Sequence, residues 1–598
     1  ANTRFNVGLT NNLLTVVADG GGALKSSAAG VLDVRLAETI YIDPAATYDG
    51  DGSSPDAAAG PGGAGAKNTW ATVGWTAGTL YLQKRGTVYS GGLFVTRSNV
   101  GLGAYGEGAR PIVDGCGVAA NGIDLNDHDF ATIEDLAVTN VTAYGIDAAL
   151  SDGLTLVDCD ISGCGAACVL SRRGTNALIR GNRFHNLDKA TSAAGVILDG
   201  TQGFFVESNT FQDLRYPIDV NVNVTTPSGI IRYNEIFEFM DDGIAIHGVS
   251  AAEDSLYVVG NEIHHCEDLE EDGIDLFNSD RVVVSGNFLH DNAGTAIKAG
   301  GSSSVGNRII GNLVVSNGLY GIRNNGSVSN VYLHNTMMGN DPNFYVATLS
   351  CGATVRNNLS LDGLQNGSLF DGQLPADDQA GIDYNLWWRA DTAPVIFMDG
   401  VTYSRDDLAA FRAATDGGDH SLMADPMLNS AWAPSKLSPT IDAGTNTALT
   451  VDFRGNPIYG TPDIGAIEYQ PPYVMGSNSV DVTGNVRVYA DGKFRNTAAP
   501  SGTNASLAIM PEGGWPTNDY REWMNVSVSN WTVTAMTWTE SSDIASNTAH
   551  TVGVLPETDY DISVNGTPGY GLTNATIRSD ERVSAEYRTV GHEREGAA

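Results

Sequence analysis

The chain has 598 residues with 33 basic and 70 acidic side chains, a formal charge of −37, and 71 glycines with only 17% charged residues. Such a length requires several domains or an elongated repeat, and so acidic a balance excludes a nucleic-acid binder, which needs a basic footprint for phosphates. Abundant glycine points to many turns and short strands rather than a helical bundle, and no apolar run approaches the roughly 18 to 20 residues that span a bilayer.

Residues 1–37 read as an N-terminal segment or cap. A chain opening at Ala1 without methionine fits a mature secreted protein whose signal peptide has been removed. From ETIYIDP (38–44) through TLYLQKRGTVY (79–89) the pattern is that of opening coils, interrupted by a Gly/Ala/Pro-rich loop at 49–67. IEDLAVTN (133–140) and LVDCDISGC (156–164) continue it. The six cysteines are too few for a disulfide scaffold and lack zinc spacing; they read as buried thiols with room for one bridge among Cys159, Cys164 and Cys168.

An internal repeat organises the middle of the chain. Strings such as GNRFHNL, SNTFQDL, YNEIFEF, GNEIHHC, GNFLHDN, GNLVVSN, HNTMMGN and NNLSL place Asn182, Asn209, Asn234, Asn261, Asn287, Asn312, Asn335 and Asn358 at intervals of 23 to 27 residues. In phase runs a second track: AGVILDG (194–200), YPIDVNV (216–222), DGIAIHG (242–248), DGIDLFN (272–278), GTAIKAG (294–300) and YGIRNNG (320–326). Its period of two marks strands with one buried face. Coils of about 25 residues stacked at roughly 4.8 Å make a right-handed parallel β-helix, with the asparagines as an internal ladder. The predicted solenoid spans 38–470; VDFRGNP (451–457) and TPDIGAIEY (461–469) resemble the closing coils of many secreted β-helix proteins, which implies an end strand there. A linker at 471–475 precedes 476–598, where longer alternating runs and four tryptophans predict an antiparallel β-sandwich, a candidate carbohydrate-binding face.

Aligning the second track on its central glycine writes down two outward columns: Asp219, Ala245, Asp275, Ala296 and Arg323, then Asn221, His247, Phe277, Lys298 and Asn325. Beside them Asp241 and Asp242 precede one strand and Glu270, Glu271, Asp272 and Asp275 occupy the next coil. Carboxylates at this density call for a cation, and an all-oxygen set suits Ca²⁺. Zinc is disfavoured, because the adjacent His264 and His265 are expected to diverge. Lys298 is the sole lysine between Lys189 and Lys436, and a metal and an arginine nearby would lower its proton affinity enough for general-base work.

The segment DDGIAIHG…EEDGIDLFNSDRVVVSGNFLHDNAGTAIKAGG (241–301) resembles the active region of polysaccharide lyase family nine, the calcium-dependent pectate lyases and their relatives. The resemblance implies Ca²⁺ as cofactor, Asp242, Glu271, Asp272 and Asp275 as its ligands, and Lys298 as base, with Glu271 standing where the motif has Asp. It implies β-elimination on a uronic-acid-containing polysaccharide: the neutral lysine removes the C5 proton and the 4-linked oxygen leaves. Arg323 is expected to clamp a substrate carboxylate, with His247, Asn221 and Asn325 lining the sugar subsites. Two alternatives are a glycoside hydrolase using Asp219 and Asp275, and a non-catalytic surface fibre, adhesin or phage-spike-like rod.

Overall fold

The computed structural model describes residues 38–470 apart from 251–252, 302–303, 348–351, 365–366, 371–380, 399, 415–417 and 459, together with the backbone of short strands on either side. Three long sheets make up the body. One has 14 strands, from Glu38–Ile42 to Ile382–Asp383; a second has 13, from Val88–Ser90 to Leu386–Trp388; a third has 14, from Leu93–Phe94 to Val401–Tyr403. After the opening strand Glu38–Ile42, each coil gives one short strand to each sheet, and neighbouring coils pair in parallel, as Asp219↔Ala245, Thr210↔Glu235 and Ile231↔Val258 do. The closing hairpin of Ile396–Met398 with Val401–Tyr403 pairs antiparallel. Parallel pairing requires a crossover between successive partners. Here the crossover is the coil itself.

The stack forms because each strand turns alternate side chains inward. In the third sheet Ile218, Ile244, Ile274, Ile297 and Ile322 occupy one register position on five successive coils, all at most 1% exposed. Each contributes roughly 1.5–3 kcal/mol of burial. The corners are as regular as the strands. The residue before each ladder asparagine adopts a left-handed conformation, at Gly181, Ser208, Tyr233, Gly260, Gly286, Gly311, His334 and Asn357, with φ between 54° and 68°. This turns the chain sharply from the first sheet into the second, so glycine recurs there because it pays no steric penalty at positive φ.

The asparagine ladder lies at that corner. Asn234 donates its backbone N–H and its Nδ2 to Oδ1 of Asn261 at 3.0 and 2.9 Å, and its Nδ2 also reaches the carbonyl of Val206 at 2.9 Å. The pattern repeats from Asn182 to Asn358 and one coil further, to Asn385. A second ladder, unforeseen in the sequence, runs through Asn292, Asn317, Asn340 and Asn343 at the exit of the second sheet.

Two local expectations fail. Residues 463–469 form no strand; they fold back along the solenoid, where Gly465 N–H donates to the carbonyl of Asn357 and Ala466 N–H to Thr336 Oγ1. Buried Asp463 and Glu468 answer backbone N–H groups there instead of a neighbouring strand. Nor do Cys159, Cys164 and Cys168 form a bridge: all three are free and buried, and Cys116 is free and exposed. The linker at 471–475 lies outside the described residues. Beyond it the described strands pair antiparallel, as Met524–Trp531 does with both Ala505–Ile509 and Met536–Ser541.

Candidate catalytic and cation-binding site

On the outer face of the third sheet the pairing fixes the columns. Asp219, Ala245, Asp275, Lys298, Arg323 and Tyr345 follow one another coil by coil. Asn221, His247, Phe277 and Gly300 form the column beside them. Lys298 therefore stands next to Asp275 and Arg323, not in the column of His247, and Ala296 is not an outward member. The glycine alignment fails in this one coil because Ala296, not Gly294, takes the corner place of Gly273. Buried Ile297 has to stack on Ile274, and that sets the register. At Gly273 itself a Cβ would come within 2.7 Å of the Ala296 carbonyl, which explains the recurring D-G pair.

At the head of these strands the acidic groups are wired together. Asp272 donates its backbone N–H to Asp242 Oδ1 at 3.1 Å, and Asp242 donates its own to Asp241 Oδ1 at 3.1 Å. Arg215 grips Asp241 Oδ2 through Nε and Nη2, both at 3.1 Å. Asp242, Asp272 and Asp275 are all buried. Lys298 Nζ lies 2.6 Å from Asp272 Oδ2 and 3.6 Å from Asp275 Oδ1, and His247 Nε2 is 3.7 Å from Asp275 Oδ2. Asp275 Oδ1 is buried without a hydrogen-bond partner.

The electrostatics follow from crowding. Burial, then the charges of Asp275 and Asp272, push Asp242 up to about 9. Burial pushes Asp272 up to about 6 against the pull of Lys298, and burial with the charge of Asp241 pushes Glu271 up to about 7. Burial draws the Lys298 ammonium down, but Asp272 and Asp275 outweigh it and the net shift is upward. The expected lowering of this lysine thus fails for the protein groups alone, since its nearest neighbours are carboxylates. Asp275 likewise holds His247 above its ordinary value.

This donor set fits a hard divalent cation: buried carboxylates, one of whose oxygens accepts no hydrogen bond, facing one lysine and one arginine. Ligand atoms of Asp242, His247 and Asp275 lie within 4.8 Å of one another, as do those of Asp241, Asp242 and Glu271. Of the four ligands expected from sequence, Asp242 and Asp275 converge, Glu271 meets Asp242 from the other side, and Asp272 is committed to Lys298. Asp241 and His247 join the groups without having been expected as ligands; Asp241 was legible as part of the acidic run.

Arg323 lies between aromatic rings, 4.8 Å from the centroid of Tyr320 and 5.8 Å from that of Tyr345. Its Nε is buried without a partner. Sequence reasoning missed both tyrosines, although Tyr320 heads the YGIRNNG string. Phe277, 45% exposed, meets the edge of His247 at 6.1 Å. Asn221 borders the site one coil before His247, and Asn325 is exposed at the end of the strand Ile322–Asn325.

A family model described as the right handed beta helix region matches residues 121–268 and 249–338. The matched residues lie within the described coils of 38–470, which form a right-handed parallel β-helix. Among solved structures, the pectate lyase Pel9A is similar over 72% of this chain and 96% of its own, with 16% identity and a TM-score of 0.35. A periplasmic alginate epimerase, AlgG, covers 46% of this chain and 74% of its own at 12% identity and a TM-score of 0.30. A mutant tailspike protein of E. coli bacteriophage HK620, in complex with a pentasaccharide, covers 86% of this chain and 84% of its own at 11% identity and a TM-score of 0.41. No curated protein matches the chain by sequence.

Proposed function

We propose that this β-helix is a secreted, calcium-dependent polysaccharide lyase that cleaves a uronic-acid-containing chain by β-elimination. The observation that carries the reading is Lys298 Nζ at 2.6 Å from Asp272 and 3.6 Å from Asp275, on the outer side of two neighbouring coils. Asp242 and Asp275 would hold the Ca²⁺, with Glu271 and Asp272 at its margin. Bound there, the ion supplies charge neutralisation of the uronate carboxylate, which acidifies the adjacent C5–H.

The chain's own residues do the rest. Lys298 gives up its proton once the charge on Asp272 and Asp275 is compensated, and then takes the C5 proton. The electron pair left on C5 forms the C4–C5 double bond and expels the 4-linked oxygen, which takes a proton from water as it leaves as the alcohol. Arg323, steadied by Tyr320 and Tyr345, presents its guanidinium to a substrate carboxylate. His247, Asn221 and Asn325 offer hydrogen bonds to sugar hydroxyls, and the exposed ring of Phe277 offers a stacking surface. The antiparallel strands beyond residue 476 belong, in this reading, to a sandwich that adds carbohydrate contacts.

One observation favours a hydrolase on the same scaffold. Asp219 and Asp275 share a column with only Ala245 between them, two strand spacings or about 9–10 Å, close to the roughly 6.5–9.5 Å of inverting carboxylate pairs. Burial also raises Asp219. Incubation with a panel of uronic-acid polymers, with and without a calcium chelator, separates the two. Near-UV absorbance of unsaturated ends that the chelator abolishes is the expected result. New reducing ends without that absorbance would replace the lyase with the hydrolase, and silence on every polymer would leave the rod-like binding role.

A further inference from the structure

A second constellation lies on the second sheet, away from the Lys298 face. One outward column there runs Gln212, Phe237, His264 and His290, and a neighbouring one Glu235, Glu262 and Phe288. His264 and His290 stack in parallel, with centroids 4.9 Å apart and planes within 10°. Phe237 stacks on the other side of His264 at 5.2 Å, and Phe288 lies against His290 at 4.2 Å, itself packed on Trp432. The two imidazoles are thus held in place by aromatic neighbours.

The hydrogen bonds say which nitrogen faces where. His290 Nδ1 is 2.9 Å from Asp291 Oδ2, and a carboxylate only accepts, so Nδ1 carries the hydrogen. In the neutral ring Nε2 then turns its lone pair toward Glu262 Oε1 at 3.3 Å. Two acceptors face each other, an arrangement that needs a positive charge between or upon them. His264 Nδ1 meets His265 Nδ1 at 2.5 Å, and its Nε2 is 4.0 Å from Glu235 Oε1. Adjacent histidines were expected to diverge; the left-handed conformation of His265, φ 57°, brings the rings together instead.

We propose that Glu262, His264 and His290 form a binding site for a divalent transition-metal ion of the zinc class, with Glu235 beside it and Asp291 orienting His290. Ligand atoms of the three residues lie within 4.8 Å of one another. Two imidazole nitrogens with one carboxylate suit zinc, not calcium. A carboxylate on the far nitrogen of a ligating histidine is the usual outer support of such sites. The rings are 14% and 17% exposed while Glu262 is 51% exposed, so the ion is reached from solvent. Because the histidines come from neighbouring coils, the ion would staple one coil to the next.

The test is equilibrium dialysis of the full chain against micromolar Zn²⁺ in millimolar Ca²⁺, followed by elemental analysis. The wild type should hold one equivalent of zinc that His264→Ala and His290→Ala both lose, while Asp275→Asn on the other face keeps it. Cobalt in place of zinc should give a visible ligand-field band that the two histidine variants lack. The near-isosteric Glu262→Gln should bind zinc at least about tenfold more weakly, with its zinc-free unfolding transition unchanged. Wild type holding no more zinc than the histidine variants would overturn the site. Undiminished binding in Glu262→Gln would overturn it as well.

Discussion

Lys298 cannot serve as a base while Asp272, 2.6 Å away, holds its proton. Its upward shift, set by Asp272 and Asp275 against burial, places the protonated form in excess at neutral pH until those charges are compensated. The rising limb of kcat/KM against pH should therefore move to lower pH as calcium is raised; a limb indifferent to calcium would separate the lysine from the cation. Lys298→Arg keeps a positive charge but cannot deprotonate, so elimination should fall by at least about 10²-fold while calcium binding, followed by calorimetry, survives. Asp242 gives a prediction of opposite sense. Its carboxyl is raised to about 9, so the stability it contributes is full below the unfolded value near 4 and declines as pH rises toward 9. With calcium chelated, the protein should be less stable at pH 8 than at pH 6. Asp242→Asn, whose Oδ1 can still accept from Asp272 N–H, should then raise stability at pH 8 by at least about 1 kcal/mol while abolishing calcium-dependent stabilisation. Thermal unfolding at the two pH values decides it, and a variant less stable than the wild type in chelator would contradict the account.

The ladder is the element whose chemistry is most completely visible. Asn261 is 1% exposed; its Oδ1 accepts from the N–H and the Nδ2 of Asn234, and its Nδ2 donates to Asn287 Oδ1 and the Ile231 carbonyl. Asn261→Asp keeps the acceptor but turns a buried carboxylate oxygen toward two other oxygens, and should destabilise by about 3 kcal/mol or more, read as an earlier denaturant midpoint. Neutral stability would show that the ladder contributes packing alone. This element also shows what one sequence can and cannot disclose. A side chain that must meet its own kind one coil away is constrained at every turn, so Asn182 to Asn358 stood out by spacing. The second ladder was present in the same strings, at Asn292, Asn317 and Asn340, but three copies at the ends of the strings are far less conspicuous than eight. The column of Lys298 was misread for another reason: glycine is frequent at the corner, where a Cβ on Gly273 would meet a carbonyl at 2.7 Å, yet Cys168, Pro217 and Ala296 hold the same register position in other coils. The register follows the buried isoleucines, and counting from glycine shifts one coil by two residues. Spacing likewise says nothing of the aromatic pair around Arg323 or of the turn that brings His264 to His265, since both depend on backbone direction at single residues.

At the scale of the molecule the charge of −37 opposes the proposed substrate, also a polyanion. Attraction is confined to Lys298, Arg323 and Arg215 beside a cation within a few coils, whereas repulsion is summed over the whole surface. Salt screens the two differently. Exposed charges farther apart than the Debye length, about 8 Å at physiological ionic strength and about 30 Å at 0.01 M, cease to act, while contacts inside the site at 2.6 to 3.7 Å are little affected. Raising monovalent salt from about 0.01 to about 0.15 M should therefore lower KM for a long uronate polymer severalfold and leave kcat nearly unchanged, with a weaker effect on a short oligomer that meets less of the surface. A basic enzyme acting on the same polymer would show the reverse, because salt would then weaken attraction. Steady-state kinetics at fixed calcium activity measures the sign. A KM that rises with salt would mean that the positive cluster, and not the net charge, governs encounter, and that the acidic surface is turned away from the path by which the polymer approaches.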